Sequence, residues 1–191
     1  MKKVITTLMA AVFMSCCLSL TSNAQPRAVG LRIGATGFEV SYQHTLGKDF
    51  IEADAGMDFG YGGSGIKAAA SYNFIFARPA WSDRGTWALY AGPGVAMGYV
   101  SDRTTYTILG YDGMREYPLK VHPADHGFMF ALSGQVGLEY NFWFPLQLSV
   151  DIRPYFGFHV NDGYYSYGSK TGFYNYGLMG FIPTLSVRYR F

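Results

Sequence analysis

The sequence predicts an all-β fold in which residues 25–191 form one eight-stranded antiparallel up-and-down β-barrel. Three observations lead to this fold class. Apolar and polar residues alternate along most of the chain, as in strands whose two faces meet different surroundings. Aromatic residues make up 18% of the sequence and charged residues only 15%, with 24 glycines. After residue 24 no apolar run is long enough for a membrane-spanning helix, so any membrane crossing would be made by strands.

Residues 1–24 are predicted to be a cleaved signal peptide. Lys2 and Lys3 precede an apolar run over residues 4–20, and a small residue, Ala24, stands at the expected cleavage site. Both cysteines of the chain lie within this segment, so we expect no disulfide or cysteine chemistry in the mature protein. The net charge of +2 gives no polybasic signal for binding nucleic acid.

The eight strands follow from the period-two pattern. They are predicted at about residues 28–35, 38–45, 50–60, 66–76, 86–100, 127–142, 146–159 and 181–191. A strand needs roughly nine to eleven residues to cross a bilayer at the usual tilt; six of the eight reach this length, and the first two are close to it. Pro93, Pro154 and Pro183 fall inside strands and cannot donate a ladder hydrogen bond, so we expect β-bulges there.

Strand parity places the two longest connections, residues 101–126 and 161–176, on the same side of the barrel. Long external loops and short turns on the opposite side are typical of membrane β-barrels. Aromatic residues cluster at both ends of the apolar face, as expected where rings meet lipid headgroups. A soluble lipocalin-like barrel would instead place its charges outside. The sequence therefore predicts a transmembrane barrel.

The polar face carries charged residues that would point into the barrel. The cations are Arg32, Lys67, Arg153, Arg188 and Arg190, and the anions are Glu39, Glu52, Asp54, Asp58, Glu139 and Asp151. An eight-stranded barrel is only wide enough to be filled by side chains, so we expect a charge network that plugs it. The alternative is a narrow polar path for water or small ions.

The terminal strand ends on Tyr189, Arg190 and Phe191, with Tyr189 and Phe191 on its apolar face. This ending resembles that of bacterial outer-membrane β-barrels, and the mature chain is similar to the small eight-stranded OmpX/OmpA-type barrels of Gram-negative bacteria. The resemblance implies an outer-membrane location, contact with outer-membrane lipid and lipopolysaccharide, and recognition of Tyr189 and Phe191 by the barrel-assembly machinery. It implies the activity only weakly.

Three functions are compatible with this reading. The first is a structural or surface-interaction barrel whose external loops, 101–126 and 161–176, contact an extracellular ligand; the second loop is rich in Tyr, Ser and Gly, which suit adaptable contacts. The second is a small channel, or a route for apolar solutes as in OmpW-like barrels. The third is a lipid-modifying enzyme.

Enzymatic and metal-binding signals are weak. No histidine is followed two residues later by serine, which is the pair that lipid A deacylases of this architecture carry. His122, Asp125 and His126 are chemically suitable metal ligands, but their spacing matches no established motif. We therefore expect no enzyme activity, catalytic residue, cofactor or metal.

Overall fold

The computed structural model describes residues 26–113, 115–163 and 168–191. The predicted signal peptide lies outside these residues, as does part of the predicted 161–176 loop. Twelve strands occur in the described chain: β1 (Arg27–Gly34), β2 (Gly37–Leu46), β3 (Asp49–Asp58), β4 (Gly65–Ala77), β5 (Thr86–Arg103), β6 (Tyr106–Asp112), β7 (Arg115–Val121), β8 (Ala124–Asn141), β9 (Leu146–Ile152), β10 (Tyr155–Asn161), β11 (Thr171–Phe173) and β12 (Thr184–Arg190).

Eight of these strands close a barrel. Antiparallel pairing runs from β1 through β2, β3, β4, β5, β8 and β9 to β12, and β12 pairs back with β1. The closing ladder aligns Val29 with Tyr189 and Leu31 with Val187. The predicted all-β, eight-stranded antiparallel barrel is therefore confirmed. We call the end that carries Arg27 and Phe191 the terminal end, and the opposite end the hairpin end.

The predicted loop 101–126 is mostly β-structure. β5 and β8 remain paired beyond the barrel as far as Arg103 and Ala124. Beyond them, β6 and β7 form a separate two-stranded hairpin. The sequence pattern did not reveal this extension, because β7 is exposed on both faces and lacks the alternation that marks a half-buried strand.

The last strand begins later than expected. Residues 181–183 precede β12, and Tyr176–Phe181 form a 3₁₀ helix. Ile182 N donates to Met179 O (3.0 Å), and Arg153 N donates to Gly180 O (2.8 Å). This helix lies beside β10, in the part of the wall that β12 does not reach. Pro183 is the last residue before β12 enters the barrel ladder.

The prediction of β-bulges at Pro93, Pro154 and Pro183 is wrong. Pro93 pairs with Gly134 in an uninterrupted register between β5 and β8. The irregularity in β4 lies instead between Ile75 and Ala77, where Asp49 Oδ1 accepts from Ile75 N at 3.1 Å.

Pro154 separates β9 from β10, yet both strands keep one register along β8, with Ile152 opposite Val136 and Tyr155 opposite Ser133. On their other side, β9 pairs with β12 whereas β10 pairs with β11. A proline is tolerated here because the strand changes partner at this point, so its missing N–H removes no regular ladder bond.

The barrel is apolar outside and polar inside. Leu132, Phe158 and Leu185 point outwards and are 68%, 66% and 62% exposed, whereas the inward Glu52 and Asp58 are fully buried. Exposed aromatic side chains lie near both ends of the wall: Phe74, Phe76 and Tyr189 towards the terminal end, and Phe59, Phe128 and Phe158 towards the hairpin end. Among the described residues, no helix has the length and apolarity needed to cross a membrane.

Candidate functional site: the filled barrel interior

The inward face of β3 organises the interior. Successive residues of a strand point to opposite sides, so Glu52, Asp54 and Asp58 all enter the barrel from one strand. Each is at most 3% exposed. Buried carboxylates are stable only when cations or hydrogen-bond donors surround them, and the neighbouring strands supply both.

Glu52 is the centre of this arrangement. Its Oε1 lies 2.5 Å from Arg153 Nη2, 2.9 Å from Arg188 Nη2 and 3.5 Å from Arg32 Nη1. The three arginines come from β1, β12 and the junction between β9 and β10. One carboxylate therefore joins three separated parts of the barrel wall.

Two of these arginines extend the network. Arg32 forms a bidentate ion pair with Asp151, in which Nη2 lies 2.6 Å from Oδ1 and Nη1 lies 2.7 Å from Oδ2. Its Nε also lies 3.2 Å from Glu39 Oε2. Such two-pronged contacts between a guanidinium and a carboxylate fix geometry as well as charge. Arg153 Nη1 donates to Asp54, and its Nη2 also donates to Gln135 Oε1 at 3.0 Å.

Lys67 forms a second group towards the hairpin end. Its Nζ lies 3.3 Å from Glu39 Oε1 and 3.1 Å from Asp58 Oδ2, and it donates to Thr36 O at 2.7 Å. Its two cross-strand partners are both glycines, Gly56 on β3 and Gly98 on β5. The glycines leave space for the long side chain.

Two predicted members of the network lie apart from it. Glu139 is buried, but its hydrogen-bond donors are the side-chain amides of Gln43, Asn141 and Gln147. Arg190 is half-buried at the end of β12, and no described carboxylate forms an ion pair with it. β12 ends at Arg190, at the mouth of the barrel, beyond the reach of the central carboxylates.

An apolar cluster closes the interior on the hairpin side. Its buried members are Ala69, Ala96, Val100, Met129, Ala131, Tyr155, Tyr174 and Tyr176. The hydroxyl of Tyr174 donates to Asp58 Oδ2 at 3.1 Å, so the cluster is joined to the charge network. On the terminal side, Phe50 and Tyr90 pack edge to face with ring centroids 5.0 Å apart.

Sequence reasoning missed this cluster. Met129 and Ala131 alternate with the exposed residues Phe128, Phe130 and Leu132, so the period-two pattern could have identified them as inward. Tyr174 and Tyr176 could not, because they enter the interior from the connection between β11 and β12 and not from a strand of the barrel.

The interior has more negative than positive charge. The predicted network contributes four buried cations and six buried carboxyl groups, a formal balance of 4 − 6 = −2: Arg32, Lys67, Arg153 and Arg188 against Glu39, Glu52, Asp54, Asp58, Glu139 and Asp151. Asp49, Asp102 and Asp125 are also buried. Glu52 Oε2, Asp54 Oδ1 and Asp58 Oδ1 are buried with no hydrogen-bond partner among the described residues. Such an interior favours cations over anions.

The histidine-containing segment does not form a ligand set. His122 Nδ1 pairs with Thr105 Oγ1 (2.9 Å), His126 Nε2 contacts Ser64 O (3.3 Å), and Asp125 accepts from Asn161 Nδ2 (3.0 Å). Within the described ranges, no group of three His, Cys, Asp or Glu residues is arranged to hold a metal.

The crystal structure of the N-terminal β-barrel domain of Pseudomonas aeruginosa OprF is similar to this chain. The TM-score is 0.44 and the sequence identity 13%, and the match covers 87% of this chain and 96% of the OprF domain. No family model matches the sequence. No curated protein matches it either.

Proposed function

We propose that this protein is an integral outer-membrane β-barrel, with an interior filled by its own side chains and a non-enzymatic, structural or surface-interaction role at its hairpin end. The single observation that carries the proposal is the reversed polarity of the barrel. Large apolar side chains cover the outer wall, whereas the charged side chains are buried inside. Exposed apolar patches of more than a few hundred Å² are rare in soluble monomers, because contact between apolar surface and water is unfavourable. A lipid bilayer around the outer wall removes this contact.

The lengths of the connections support the orientation. At the terminal end, β2 and β3 are joined by residues 47–48, β4 and β5 by residues 78–85, and β8 and β9 by residues 142–145. At the hairpin end, β5 and β8 extend beyond the barrel and carry the β6–β7 hairpin. Since external connections are the long ones in such barrels, the hairpin end faces the outside and the terminal end faces the periplasm.

The interior supports a structural role over transport. Arg153 and Arg188 reach Glu52 across the barrel, and the apolar cluster lies above them. Both layers would have to open before a solute could pass.

The hairpin is the part of the protein best placed for an extracellular contact. Leu109 and Tyr111 on β6 are 62% and 67% exposed, and Tyr117 on β7 is 43% exposed. Within the described chain, the two strands pair only with each other, so their outer edges can accept a further strand. Lipopolysaccharide would surround the adjacent wall, and the barrel-assembly machinery would recognise Tyr189 and Phe191 during insertion.

Location is tested by expressing the full chain, with its own leader, in a Gram-negative host. We expect the protein in the outer-membrane fraction, and we expect its gel mobility to differ between unheated and boiled samples, as it does for a folded membrane barrel. Recovery in the soluble periplasmic fraction would refute the proposal.

The excess of interior carboxylates favours a second candidate, a small cation-selective channel. Conductance across planar bilayers separates it from the closed barrel, because the filled interior predicts no channel events from inserted protein. Comparison of lipid A from cells with and without the protein tests the non-enzymatic role, and the two profiles are expected to be identical.

A further inference from the structure

One corner of the terminal end collects all three tryptophans of the chain. Trp81 lies in the connection between β4 and β5, Trp87 at the start of β5, and Trp143 in the turn between β8 and β9. β5 and β8 are neighbours, so the two connections lie side by side. We call this site the tryptophan corner; its residues are Trp81, Arg84, Trp87, Tyr140, Phe142, Trp143 and Phe144.

The rings of the corner form a continuous chain of contacts. Trp81 packs against Trp87 with centroids 5.6 Å apart, and Trp87 packs against Tyr140 at 4.5 Å. Phe142 continues the chain to Trp143 at 5.9 Å. Trp81 and Trp143 are nevertheless 62% and 63% exposed, so the corner presents a broad amphipathic surface.

One arginine contacts these rings, and two more belong to the adjoining chain segments. The guanidinium of Arg84 lies over the Trp143 ring, 5.8 Å from its centroid. Arg78 belongs to the same connection, and the backbone N of Arg190 donates to Pro145 O in the neighbouring turn at 3.2 Å. Asp83 is the only acidic residue of the two connections, residues 78–85 and 142–145. No ion pair within the described ranges engages any of these arginines.

The positive charge distinguishes this end from the other. The exposed or half-buried charges of the terminal end are Arg27, Lys48, Arg78, Asp83, Arg84, Arg190 and the carboxylate of Phe191. At the hairpin end the exposed charges are more evenly balanced, although Arg103 and Lys170 lie over tyrosine rings there: the cations are Arg103, Arg115, Lys120 and Lys170, and the anions are Asp112, Glu116 and Asp162.

We propose that the tryptophan corner binds the headgroup of an anionic phospholipid in the leaflet that surrounds the terminal end. Arginine matches phosphate with two parallel N–H donors, and tryptophan favours the boundary between hydrocarbon and headgroups. The outer wall supplies the apolar surface for the acyl chains directly above, with Leu138, Leu148 and Leu185 beside Trp87. This inference rests on the proposed membrane insertion and adds a lipid class to it.

The corner provides its own reporter, because all tryptophan fluorescence of the protein comes from it. The purified protein is refolded into phosphatidylcholine vesicles that contain a minor fraction of brominated lipid, either phosphatidylglycerol or phosphatidylcholine. Bromine quenches only nearby tryptophans. We expect roughly twofold or greater quenching by the brominated phosphatidylglycerol, weakened by salt, since each basic residue near a membrane surface favours anionic lipid.

The variant Arg78→Gln/Arg84→Gln should lose this preference, whereas Lys48→Gln, in the turn between β2 and β3, should keep it. Equal quenching by the two brominated lipids in inserted wild-type protein would overturn the inference. The tryptophan corner would then be interpreted as a contact surface for a periplasmic protein. Loss of preference in Lys48→Gln would also overturn it, because the corner would not be the source. Insertion is read separately from gel mobility before and after boiling, so failure of the membrane proposal itself would be recognised.

Discussion

Arg153 and Glu52 meet in the barrel interior, with Nη2 of Arg153 2.5 Å from Oε1 of Glu52, although 101 residues separate them in the sequence. Both side chains are at most 1% exposed. A buried ion pair contributes little compared with an apolar pair of the same size, but loss of one partner leaves an uncompensated charge. Because the two residues are distant in the sequence, their charges compensate each other only when the barrel has closed correctly.

The substitution Glu52→Gln should destabilise the folded barrel by about 3–5 kcal/mol, because it removes the only ion-pair partner of Arg188 among the described residues and one of two partners of Arg153. The free energy of unfolding is measured by urea titration in lipid vesicles. Glu116→Gln, on the exposed strand β7, is the matched control and should change it by less than about 0.5 kcal/mol. Equal effects of the two substitutions would contradict the role of the network.

Gly56 is required by close packing between β2 and β3. A Cβ atom at this position would lie 2.0 Å from Phe38 O, so Gly56→Ala should cost roughly 1–3 kcal/mol of stability. Gly134 faces outwards on β8, and a Cβ there has open space around it. Gly134→Ala should therefore be neutral or slightly stabilising in the same titration, since alanine restricts the unfolded chain. A tolerated alanine at position 56 would show that the strands can separate at this point.

Replacement of Phe191 by alanine should reduce the amount of protein in the outer membrane several-fold. The side chain is 46% exposed, while the backbone of Phe191 exchanges two hydrogen bonds with Arg27, of 2.8 and 3.0 Å. The variant keeps these bonds, so refolding in vesicles should proceed normally and the defect should be confined to cells. Phe181→Ala, at a comparably exposed outer-wall aromatic, serves as the control. Normal surface levels of Phe191→Ala would argue against its role in assembly.

The β6–β7 hairpin should be dispensable for folding. Residues 107–120 can be replaced by Asn-Gly, because Tyr106 and Val121 are paired and a two-residue turn can join them. Retaining Tyr106 preserves its contact with Asp125 at 3.3 Å. The trimmed protein should keep the gel mobility shift and unfold within about 1 kcal/mol of wild type, because an isolated two-stranded hairpin is only marginally stable. A failure to fold would mean that the hairpin supports the barrel.

The alternation of apolar and polar residues was sufficient to predict the barrel. It correctly placed Glu52, Asp54 and Asp58 inside, because strand geometry alone determines these directions.

Features that depend on tertiary packing were not predictable in this way. Tyr174 and Tyr176 are buried by the return of a connection into the barrel, and the 3₁₀ helix Tyr176–Phe181 replaces the expected start of the last strand. The expectation at the prolines was wrong because a missing N–H removes a ladder hydrogen bond only where a partner strand would accept one. At Pro154 that partner changes, which no local pattern indicates.

The closed, membrane-inserted barrel is tested most directly by the conductance of planar bilayers that contain the purified protein, after insertion has been established by gel mobility. The contacts of Arg153 and Arg188 with Glu52, together with the apolar cluster around Tyr155 and Tyr174, predict a silent bilayer. Reproducible unitary currents from the inserted wild-type protein would contradict the account.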